Sequence, residues 1–386
     1  MLLSKSDSVL VTYHFANSSE GTFGPGPDLK DYLKDKIGYL YVLELPFPFA
    51  YDKHVYFTIF HQGKVINKYI SPLINLPEWL HYFINFIFGI YYVSKIRNNL
   101  PIAICMENLS FLSVLIIKQI KCIKNLIYYS IDFTPRRFEN PFINGIYTTL
   151  DKIACVHCDY FWAVSEAIIS AKQKNLHISI NNSQEVPVGF HGERIRTKKA
   201  SCNTRFRLIY SGSLTKKQGV QLIIKSLTKI LHRFPKCTLT ITGEGTYQDN
   251  LKKMANTKLL KKHIIFRGYI NGHDNLEKLL VNSGVGLAPY KPEKNSYSFY
   301  ADPAKIKQYL GCGIPIITTS VPPIAKKIKK YKAGEVITYS QSSLIGALKK
   351  MLESEKSYMN YKNSSIQLAK QYDMNIIYQN AFEKLT

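Results

Sequence analysis

The chain has 386 residues, which is long enough for two domains that each have a hydrophobic core of their own. Hydrophobic residues make up 46% of it, the ordinary share of a globular protein. Lys and Arg number 51 against 27 Asp and Glu, so the net charge is +24. This excess favours anionic partners such as nucleic acid, an anionic membrane or a phosphorylated substrate, although a solvated basic surface has the same composition.

The cysteines and the first residues indicate the compartment. Seven cysteines, an odd number, are scattered over the chain, and the start, MLLSKSDSVLVTYHF, lacks the pattern of a secretory signal. We therefore expect a cytoplasmic protein with reduced thiols. Cys155 and Cys158 form a single C-x-x-C pair, which is weak evidence for zinc. We expect both to pack inside the fold, and we predict no metal site.

The N-terminal half begins with a strand, a glycine-rich loop and a helix, as a Rossmann-like unit does. These are Ser8–Phe15, Gly21–Pro27 and Asp28–Lys36, the helix having one apolar face. The loop, GTFGPGP, is not the G-x-G-x-x-G dinucleotide fingerprint, so the pattern is poor evidence for NAD. Further strands are predicted at Tyr39–Glu44, Tyr56–His61, Pro101–Met106, Leu126–Ile131 and Asp159–Ser165, with a helix at Phe142–Lys152.

Leu76–Val93 is an unusually aromatic run, LPEWLHYFINFIFGIYYV. At about 18 residues it is at the lower limit for a membrane-spanning helix, and Glu78, His81 and Asn85 interrupt it, which argues against spanning. Two interpretations stay open. One is a helix packed on the sheet of the first domain. The other is an in-plane membrane helix with aromatic residues at the interface and cations beside it.

Asp132 follows the predicted strand Leu126–Ile131, in the stretch YYSIDFTPRRF. A carboxylate at the C-terminal end of a parallel strand stands where open α/β sheets have their functional residues. Asp132 is therefore a candidate general base, or a residue that positions an acceptor hydroxyl; a helix or turn cap is the alternative. Arg136 and Arg137 follow, either as ligands of an acceptor phosphate or as part of a solvated face.

The C-terminal half alternates between strands and helices, which predicts a parallel, doubly wound sheet. Ligands bind such sheets outside the carboxyl ends of the strands, and the glycines that follow predicted strands there let a ligand approach the backbone. Those glycines are Gly212, Gly243, Gly245 and Gly268. The predicted strands are Phe206–Ser211, Thr238–Thr242, Ile264–Arg267, Val285–Pro289 and Ile316–Thr319, and the predicted helices are Val220–Phe234, Asp274–Val281 and Asp373–Leu385, with another starting at Tyr247.

The stretch Asp302–Thr319, DPAKIKQYLGCGIPIITT, combines a helix start with a cation. Pro303 is suited to the first helical turn, and a helix N-terminus has unpaired N–H groups and a partial positive charge. Lys305 adds a full charge at the same end. The pattern therefore predicts a site for a diphosphate.

This stretch resembles the nucleotide-sugar-binding segment of GT-B glycosyltransferases of family 4, which reads roughly Pro-x-Lys-x-x-Glu-Tyr-x-x-x-Gly-x-Pro-Val-Val. The residues that fall in place are Pro303, Lys305, Tyr309, Gly313 and Pro315. The resemblance covers most of Arg207–Gly334 and is weaker over the first half. It implies an α/β protein with two Rossmann-like, doubly wound domains facing a cleft, the GT-B fold.

The resemblance also implies roles for individual residues. Those implied to bind the donor diphosphate are Lys305, Gly212, Ser213 and Lys217. Those implied to lie near the nucleotide and sugar are Gly243, Glu244, Tyr269, Ile270, Tyr300, Asp302 and Gln308. In the first domain, His14 and Asp132 become catalytic candidates, and Gly24 and Gly26 become candidates for an acceptor loop, with a plain tight turn as the alternative.

The sequence departs from the family pattern at the donor site. The usual cation after the first glycine is Ser213, and the usual Lys before the second glycine is Gln218. The paired glutamates that contact the donor sugar and ribose in retaining members fall on Tyr300 and Gln308, which leaves the donor and the stereochemical outcome open. Asp302 is either a partial substitute or, the interpretation we favour, the cap of its helix.

Together these features predict four segments. They are residues 1–190 as the acceptor-side domain, 191–204 as a linker, 205–370 as the nucleotide-sugar-binding domain, and 371–386 as a helix that crosses back to the first domain.

The predicted function is a hexosyltransferase-type glycosyltransferase in cell-surface polysaccharide or glycoconjugate synthesis. It moves a sugar from a nucleotide-sugar donor to a hydroxyl of a glycan or polyprenyl-linked acceptor, on the inner face of an anionic membrane. We expect no metal and no cofactor besides the nucleotide-sugar co-substrate, because a helix N-terminus and Lys305 stabilise the leaving diphosphate and no Asp-x-Asp motif follows a strand. The alternatives are a nucleotide-sugar 2-epimerase and a non-catalytic GT-B scaffold that partners an active transferase. Nucleic acid is not expected as a partner, since no motif for it is present.

Overall fold

The computed structural model describes residues 3–16, 24–96, 99–192, 202–293 and 296–385. The chain divides into two compact units, each built on its own sheet. Unit 1 comprises Met1–Pro187 and Asn375–Thr386, and unit 2 comprises Val188–Met374. Most of the predicted linker, residues 193–201, lies outside the described residues, as do residues 21–23 of the predicted glycine-rich loop Gly21–Pro27.

Unit 1 is an eight-stranded sheet with helices on its faces. Its strands are β1 (Ser8–Phe15), β2 (Tyr39–Pro46), β3 (His54–His61), β4 (Lys64–Pro72), β5 (Ile102–Cys105), β6 (Asn125–Ser130), β7 (Tyr160–Ala163) and β8 (Ser183–Glu185). Its helices in the first part of the chain are α1 (Pro25–Leu33), α2 (Glu78–Ser94), α3 (Asn108–Ile117), α4 (Pro141–His157) and α5 (Glu166–Leu176).

The strand order in unit 1 is β4-β3-β2-β1-β5-β6-β7-β8. Pairing is parallel from β2 to β8, and β3 and β4 form an antiparallel hairpin at one edge. All eight residues of β1 are buried, as expected for a central parallel strand covered on both faces. The order reverses between β1 and β5, so the ends of these two strands flank the point where such sheets bind ligands.

The start of α1 differs from the prediction. The helix begins at Pro25 rather than at Asp28, so Gly26 is helical and not part of a loop. A Cβ atom at Gly26 would lie 2.5 Å from the ring of Tyr13, which explains why glycine stands there. The proline at the first helical position, with its fixed φ, favours this earlier start.

Unit 2 is a six-stranded, wholly parallel sheet. Its strands are β9 (Arg207–Ser211), β10 (Thr238–Thr242), β11 (Ile264–Gly268), β12 (Val285–Ala288), β13 (Ile316–Thr319) and β14 (Gly334–Ile337). Its helices are α6 (Val220–Arg233), α7 (Gln248–Met254), α8 (His273–Val281), α9 (Ala304–Gly311), α10 (Ala325–Tyr331), α11 (Gln341–Leu352) and α12 (Glu355–Ala369), and the chain ends with α13 (Met374–Glu383).

The strand order of unit 2, β11-β10-β9-β12-β13-β14, is that of a dinucleotide-binding Rossmann sheet. Its core is formed by the apolar face of α6, with Ile223, Leu227 and Ile230, against the buried side chains of the central strands. The order reverses between β9 and β12, so a ligand is expected beyond the carboxyl ends of these strands. The predicted parallel sheet of this half is confirmed.

Helix α13 packs against unit 1. The hydroxyl group of Tyr378 donates a hydrogen bond of 3.0 Å to the carbonyl oxygen of Pro25, and the ring of Phe382 lies 5.3 Å from the ring of Trp162. The last helix of the chain thus contributes to the core of the unit that the chain builds first.

Candidate active site

The carboxyl edge of the unit 2 sheet is lined by backbone that only glycine adopts easily. Gly212 follows β9 with φ of 134°, and Gly243 follows β10 with φ of 117°. A Cβ atom at Gly212 would come within 2.8 Å of the amine of Lys305, and one at Gly243 would collide with the carbonyl group of Gly212. These two loops therefore approach each other and Lys305 at the same edge.

Lys305 is held at this edge by neutral groups. It is the second residue of α9, and its amine donates hydrogen bonds of 2.9 Å to the hydroxyl of Tyr210 and 2.7 Å to the side-chain oxygen of Gln218. The amine also lies 4.4 Å from the centre of the Tyr210 ring. Among the described residues, no carboxylate pairs with it. Burial lowers the pKa of Lys305 to about 7.

The amine of Lys305 is half-buried and has no anionic partner among the described residues, so it can bind an anion. Desolvation disfavours its charged form, and an anion bound beside it reverses the effect. The first N–H groups of α9 lie at the same end of the helix as Lys305. Pro303, the residue at the cap position, makes no side-chain hydrogen bond to them, so they can interact with an anion. The arrangement can therefore stabilise a phosphate or diphosphate group.

Gln218, a departure from the family pattern, has a structural role. Its side chain is buried, and its oxygen accepts the hydrogen bond from Lys305. A lysine at this position would bring two amines together, whereas the amide supplies an acceptor. Of its neighbours, Ser213 contributes its carbonyl oxygen as acceptor for the Tyr210 hydroxyl at 2.8 Å, and Lys217 is exposed.

The candidate nucleotide- and sugar-binding residues lie in loops at the same edge. Glu244 is exposed after β10, and Tyr269 is exposed after β11, next to the half-buried Ile270. Tyr300 ends a short helical turn before α9, and Gln308 is half-buried in α9. Neither of these last two residues supplies a carboxylate at the positions where the family has glutamate.

Asp302 does not cap α9, contrary to the interpretation that we favoured. Its carboxylate forms an ion pair with the fully buried amine of Lys307 and accepts a hydrogen bond of 2.8 Å from the backbone N–H of Val188. The cap position is Pro303. A buried cation requires a paired anion, which accounts for the ion pair between Asp302 and Lys307.

Net charge is divided very unevenly between the two units. Unit 2 has 33 Lys and Arg against 11 Asp and Glu, a net charge of +22, whereas unit 1 has 18 against 16, a net charge of +2. A compositional habit of the whole chain would charge both units alike. The excess is therefore a property of unit 2, where it favours anionic ligands.

In unit 1, three titratable residues follow the ends of adjacent strands. His14 lies at the end of β1, Glu107 follows β5 and Asp132 follows β6. His14 is buried against the ring of Phe47 at 5.1 Å. Burial, and to a lesser degree His81 and Arg137, lower the pKa of His14 to about 3, so its imidazole is neutral and a weak base at ordinary pH.

Asp132 is engaged in an ion pair. Its carboxylate lies 2.6 Å from the guanidinium of Arg137, and that guanidinium stacks 5.8 Å from the ring centre of Tyr147. The cap interpretation of Asp132 finds no hydrogen bond to support it among the described residues. Arg136 instead donates to the backbone carbonyls of Phe138 and Glu139.

Glu107 is a residue that the sequence analysis left without a role. It is half-buried at the start of α3, where its backbone carbonyl accepts a hydrogen bond from the N–H of Phe111. Its side chain does not cap the helix and has no hydrogen bond or ion pair among the described residues. Desolvation, followed by the nearby charge of Asp132, raises the pKa of Glu107 to about 8. The available signal was its position after a predicted strand, the same signal that singled out Asp132.

The predicted acceptor loop is described only in part. Gly24 is the residue before α1, with φ of 132°, and Gly26 lies inside the helix, where it packs against Tyr13. Gly24 therefore remains the loop candidate, and Gly26 contributes to packing.

Metal-ligand clusters are not found in the parts of the chain that the structure describes, where no three His, Cys, Asp or Glu side chains converge. Cys155 is buried in α4, and the thiol of Cys158 donates to its carbonyl oxygen at 3.3 Å. Burial raises the pKa of the Cys158 thiol to about 12, so it is a neutral thiol at ordinary pH.

Known proteins share this architecture. Residues 192–368 match the family model described as "Glycosyl transferases group 1". A segment of 124 residues, 32% of this chain, is 28% identical to the protein named "Uncharacterized glycosyltransferase MJ1607" of Methanocaldococcus jannaschii, and the match spans 29% of that relative's length.

Two solved structures are similar over nearly the whole chain. Sucrose-phosphate synthase of Thermosynechococcus elongatus superimposes with a TM-score of 0.72 at 10% identity, over 98% of this chain and 99% of that one. HepE of Anabaena, in complex with UDP, superimposes with a TM-score of 0.66 at 14% identity, over 98% and 99%. Identities this low show the fold alone.

The two sheets and these superpositions show the GT-B fold. Residues 192–368, a little under half of the chain, match the model of the group 1 glycosyl transferases, and the resemblance indicated by Asp302–Thr319 is confirmed.

Proposed function

We propose that this protein transfers a sugar from a nucleotide-sugar donor to a hydroxyl group of an acceptor. The observation that carries the proposal is the amine of Lys305, which has neutral hydrogen-bond acceptors but no carboxylate partner among the described residues. It lies at the glycine-lined edge of unit 2, within the segment that matches the group 1 model. A departing diphosphate supplies the negative charge that this site demands.

Unit 2 would stabilise the leaving group. The protonated amine of Lys305 and the first N–H groups of α9 would oppose the charge that develops on the diphosphate as the bond to the sugar breaks. Because these are fixed groups of the protein, the step is proposed to need no metal ion and no cofactor. The base of the nucleotide is proposed to be uracil, since HepE was solved in complex with UDP.

Unit 1 would activate the acceptor hydroxyl. A general base works best when its pKa is near the operating pH, and the pKa of Glu107 is raised to about 8. The carboxylate of Asp132, in contrast, is held in an ion pair with Arg137. We therefore assign the base to Glu107, with Asp132 and Arg137 as the groups that orient the acceptor. His14, buried and neutral, would shape the site rather than move a proton.

The acceptor is proposed to be a glycan or a polyprenyl-linked sugar, used in cell-surface polysaccharide or glycoconjugate synthesis. A cytoplasmic protein that meets a lipid-linked acceptor must do so at the inner face of the membrane. This part of the proposal rests on the aromatic helix α2, whose surface is considered below. The transferred sugar is proposed to be a hexose.

The donor is tested by thermal stabilisation of the purified protein with a panel of UDP-, GDP-, ADP- and CMP-sugars. A ligand that binds only the folded state raises the apparent stability by mass action. We expect one selective rise, lost in Lys305→Met and kept in Lys349→Met, a change of an exposed lysine on α11. The absence of a shift with every donor would refute the proposal.

Two other functions predict different results when the protein is incubated with its donor. A non-catalytic scaffold, favoured by the missing glutamates at Tyr300 and Gln308, would bind a donor tightly without turning it over. A nucleotide-sugar 2-epimerase would release nucleotide without passing the sugar to any added acceptor. Incubation of the selected donor with and without acceptor, followed by analysis of free nucleotide and glycan, separates the three.

A further inference from the structure

Helix α2 is inverted in polarity compared with an ordinary surface helix. Its polar residues His81 and Asn85 face inwards, where both side chains lie 2.9 Å from the carbonyl oxygen of Pro46 at the end of β2. A helix at the surface of a soluble domain normally has its polar residues outside and its apolar residues inside. Of the three polar residues that interrupt the apolar run, His81 and Asn85 are therefore buried, and only Glu78, at the start of the helix, is exposed.

The outer face of α2 is consequently apolar. Four large side chains recur at intervals of four residues, the spacing of a single stripe along a helix, and all are exposed. The stripe consists of Trp79, Phe83, Ile87 and Tyr91. Half-exposed Phe86, Ile84 and Ile90 border it. Continuous apolar surface of this kind marks an interaction site rather than a random exposed residue.

The stripe continues into an aromatic recess. A cavity of about 490 Å³ lies between the end of α2 and the β3–β4 hairpin, with Tyr69, Tyr91 and Lys95 among its lining residues. The hairpin itself exposes Val65, Ile66 and Ile70. The apolar surface therefore extends from the start of α2 to the edge strand of the sheet.

Lysines border this surface. From the start of β3 to the cap of α2, His54–Lys95, the chain has three lysines and one carboxylate, Glu78, whereas the rest of unit 1 has 15 Lys and Arg against 15 Asp and Glu. Lys95 lies over the ring of Tyr91 at 5.2 Å, and Lys68 over that of Tyr56 at 5.0 Å. Apolar and aromatic side chains with cations beside them complement an anionic lipid surface.

We propose that unit 1 docks on an anionic lipid bilayer through the outer face of α2, with the helix lying in the plane of the interface. A helix of 17 residues is about 25 Å long, and no helix among the described residues combines the length and the apolarity that crossing a bilayer requires. The docking names the partner that the proposed function needs for a lipid-linked acceptor, but it is tested without donor or acceptor.

The protein contains its own reporter for this contact. It has two tryptophans, of which Trp79 is 70% exposed on the stripe and Trp162 is fully buried in the core of unit 1. Insertion of α2 into the interface therefore changes the emission of Trp79 alone. With vesicles that contain phosphatidylglycerol, we expect a blue shift of the emission, quenching by brominated lipid, and co-sedimentation of the full-length protein.

A matched pair of double variants tests the face. Phe83→Asp with Ile87→Asp places two charges on the stripe, at side chains that are 55% and 46% exposed. Phe142→Asp with Ile146→Asp makes the same change four residues apart on α4, at side chains that are 75% and 47% exposed. Both pairs point to solvent, so neither is expected to unfold the protein, which circular dichroism checks.

We expect the first pair to lower vesicle partitioning by at least about tenfold, the loss that removing one buried aromatic side chain from an apolar phase implies. The second pair should leave partitioning unchanged, and Trp79→Phe should keep binding while the spectral change disappears.

Three outcomes would overturn the docking: no binding of the wild-type protein to these vesicles, an equal loss in both double variants, or a wild-type dimer that the first pair converts to a monomer without any vesicle binding. The last would make α2 a contact between two copies. None of them touches the donor assay, whose readout is the thermal shift caused by nucleotide sugars, so the two proposals fail separately.

Discussion

Donor affinity should depend on pH through a single amine. In the free site, burial lowers the pKa of Lys305 to about 7 from its ordinary value of 10.5. A bound diphosphate restores the opposite charge and raises the pKa again. The amine is then charged in both states below pH 7, but above pH 7 binding must take up a proton. Affinity should therefore be highest below pH 7 and fall as the pH rises.

The size of the effect follows from the two pKa values. At pH 8 a group with a pKa of about 7 is about one-tenth protonated, so binding should take up about 0.9 proton per site. At pH 9 the dissociation constant should be roughly a hundredfold higher than at pH 6, equivalent to about 2.7 kcal/mol. The phosphate groups of a nucleotide sugar do not titrate in this range, so the pH dependence of the dissociation constant reports on the amine.

Isothermal titration calorimetry with the selected nucleotide sugar measures both quantities. The heat of binding at pH 8, compared in two buffers with different heats of ionisation, gives the number of protons taken up. Lys305→Met should bind weakly at every pH with no proton uptake, whereas Lys349→Met should behave as the wild type. A dissociation constant that stays flat from pH 6 to 9, without proton uptake, would refute the reasoning about this amine.

Three further predictions address the base, the packing and the stability of the free site. Glu107→Gln should lower kcat by roughly 10²–10⁴ and abolish the rise of kcat with pH around 8. Asp132→Asn should keep the rise but move it to lower pH, because the charge of Asp132 contributes to the raised pKa of Glu107; steady-state kinetics over pH decides, and loss of the rise in Asp132→Asn alone would return the base to Asp132. Gly26→Ala should lower Tm, because the added methyl group meets the ring of Tyr13. Gly145→Ala lies in a helix with open space around it and should raise the free energy of unfolding by roughly 0.5–1 kcal/mol. Equal effects of the two changes would contradict the packing at Gly26. In the absence of nucleotide at pH 7, Lys305→Met should raise the free energy of unfolding by roughly 1–2 kcal/mol, because the free site penalises the charged amine. Since the folded-state pKa lies below the unfolded one, that advantage should shrink as the pH rises from about 7 towards 10.5. Urea denaturation at several pH values measures it, and a less stable variant would contradict the penalty.

Some local structure could be predicted from the sequence to the residue. Ser8–Phe15, Thr238–Thr242 and Ile316–Thr319 are strands with the predicted bounds. Each is a short run rich in β-branched and apolar residues, and the last two end at a threonine that glycine or serine follows, so hydrophobic patterning and turn chemistry agree there. Strand β4 was not predicted, because all but one of its residues are exposed and it has no buried face to give it a pattern.

The candidate site divides in the same way. The sequence singled out Lys305 from its position at a helix start and from the family pattern, and the glycines from their positions after strands. It did not indicate Gln218 as the acceptor of the Lys305 hydrogen bond or Glu107 as an unpaired carboxyl, since both depend on which loops the sheet brings together. Nor did it indicate that the amine of Lys307 forms an ion pair with the carboxylate of Asp302.

The amino-acid sequence by itself determined the strongly patterned strands, the alternation of strands and helices in the second half and the motif that carries a cation, because these follow from neighbours along the chain. Only the tertiary structure decided which charges are paired. The sequence suggested a functional or a capping role for both Asp132 and Asp302. In the structure each of them forms an ion pair with a basic side chain five residues further along the chain. The same holds for α2, whose polar residues turn inwards to the end of β2 and leave its apolar face outside. Ion pairing and burial depend on distances in space, and those are set by the packing of the sheet.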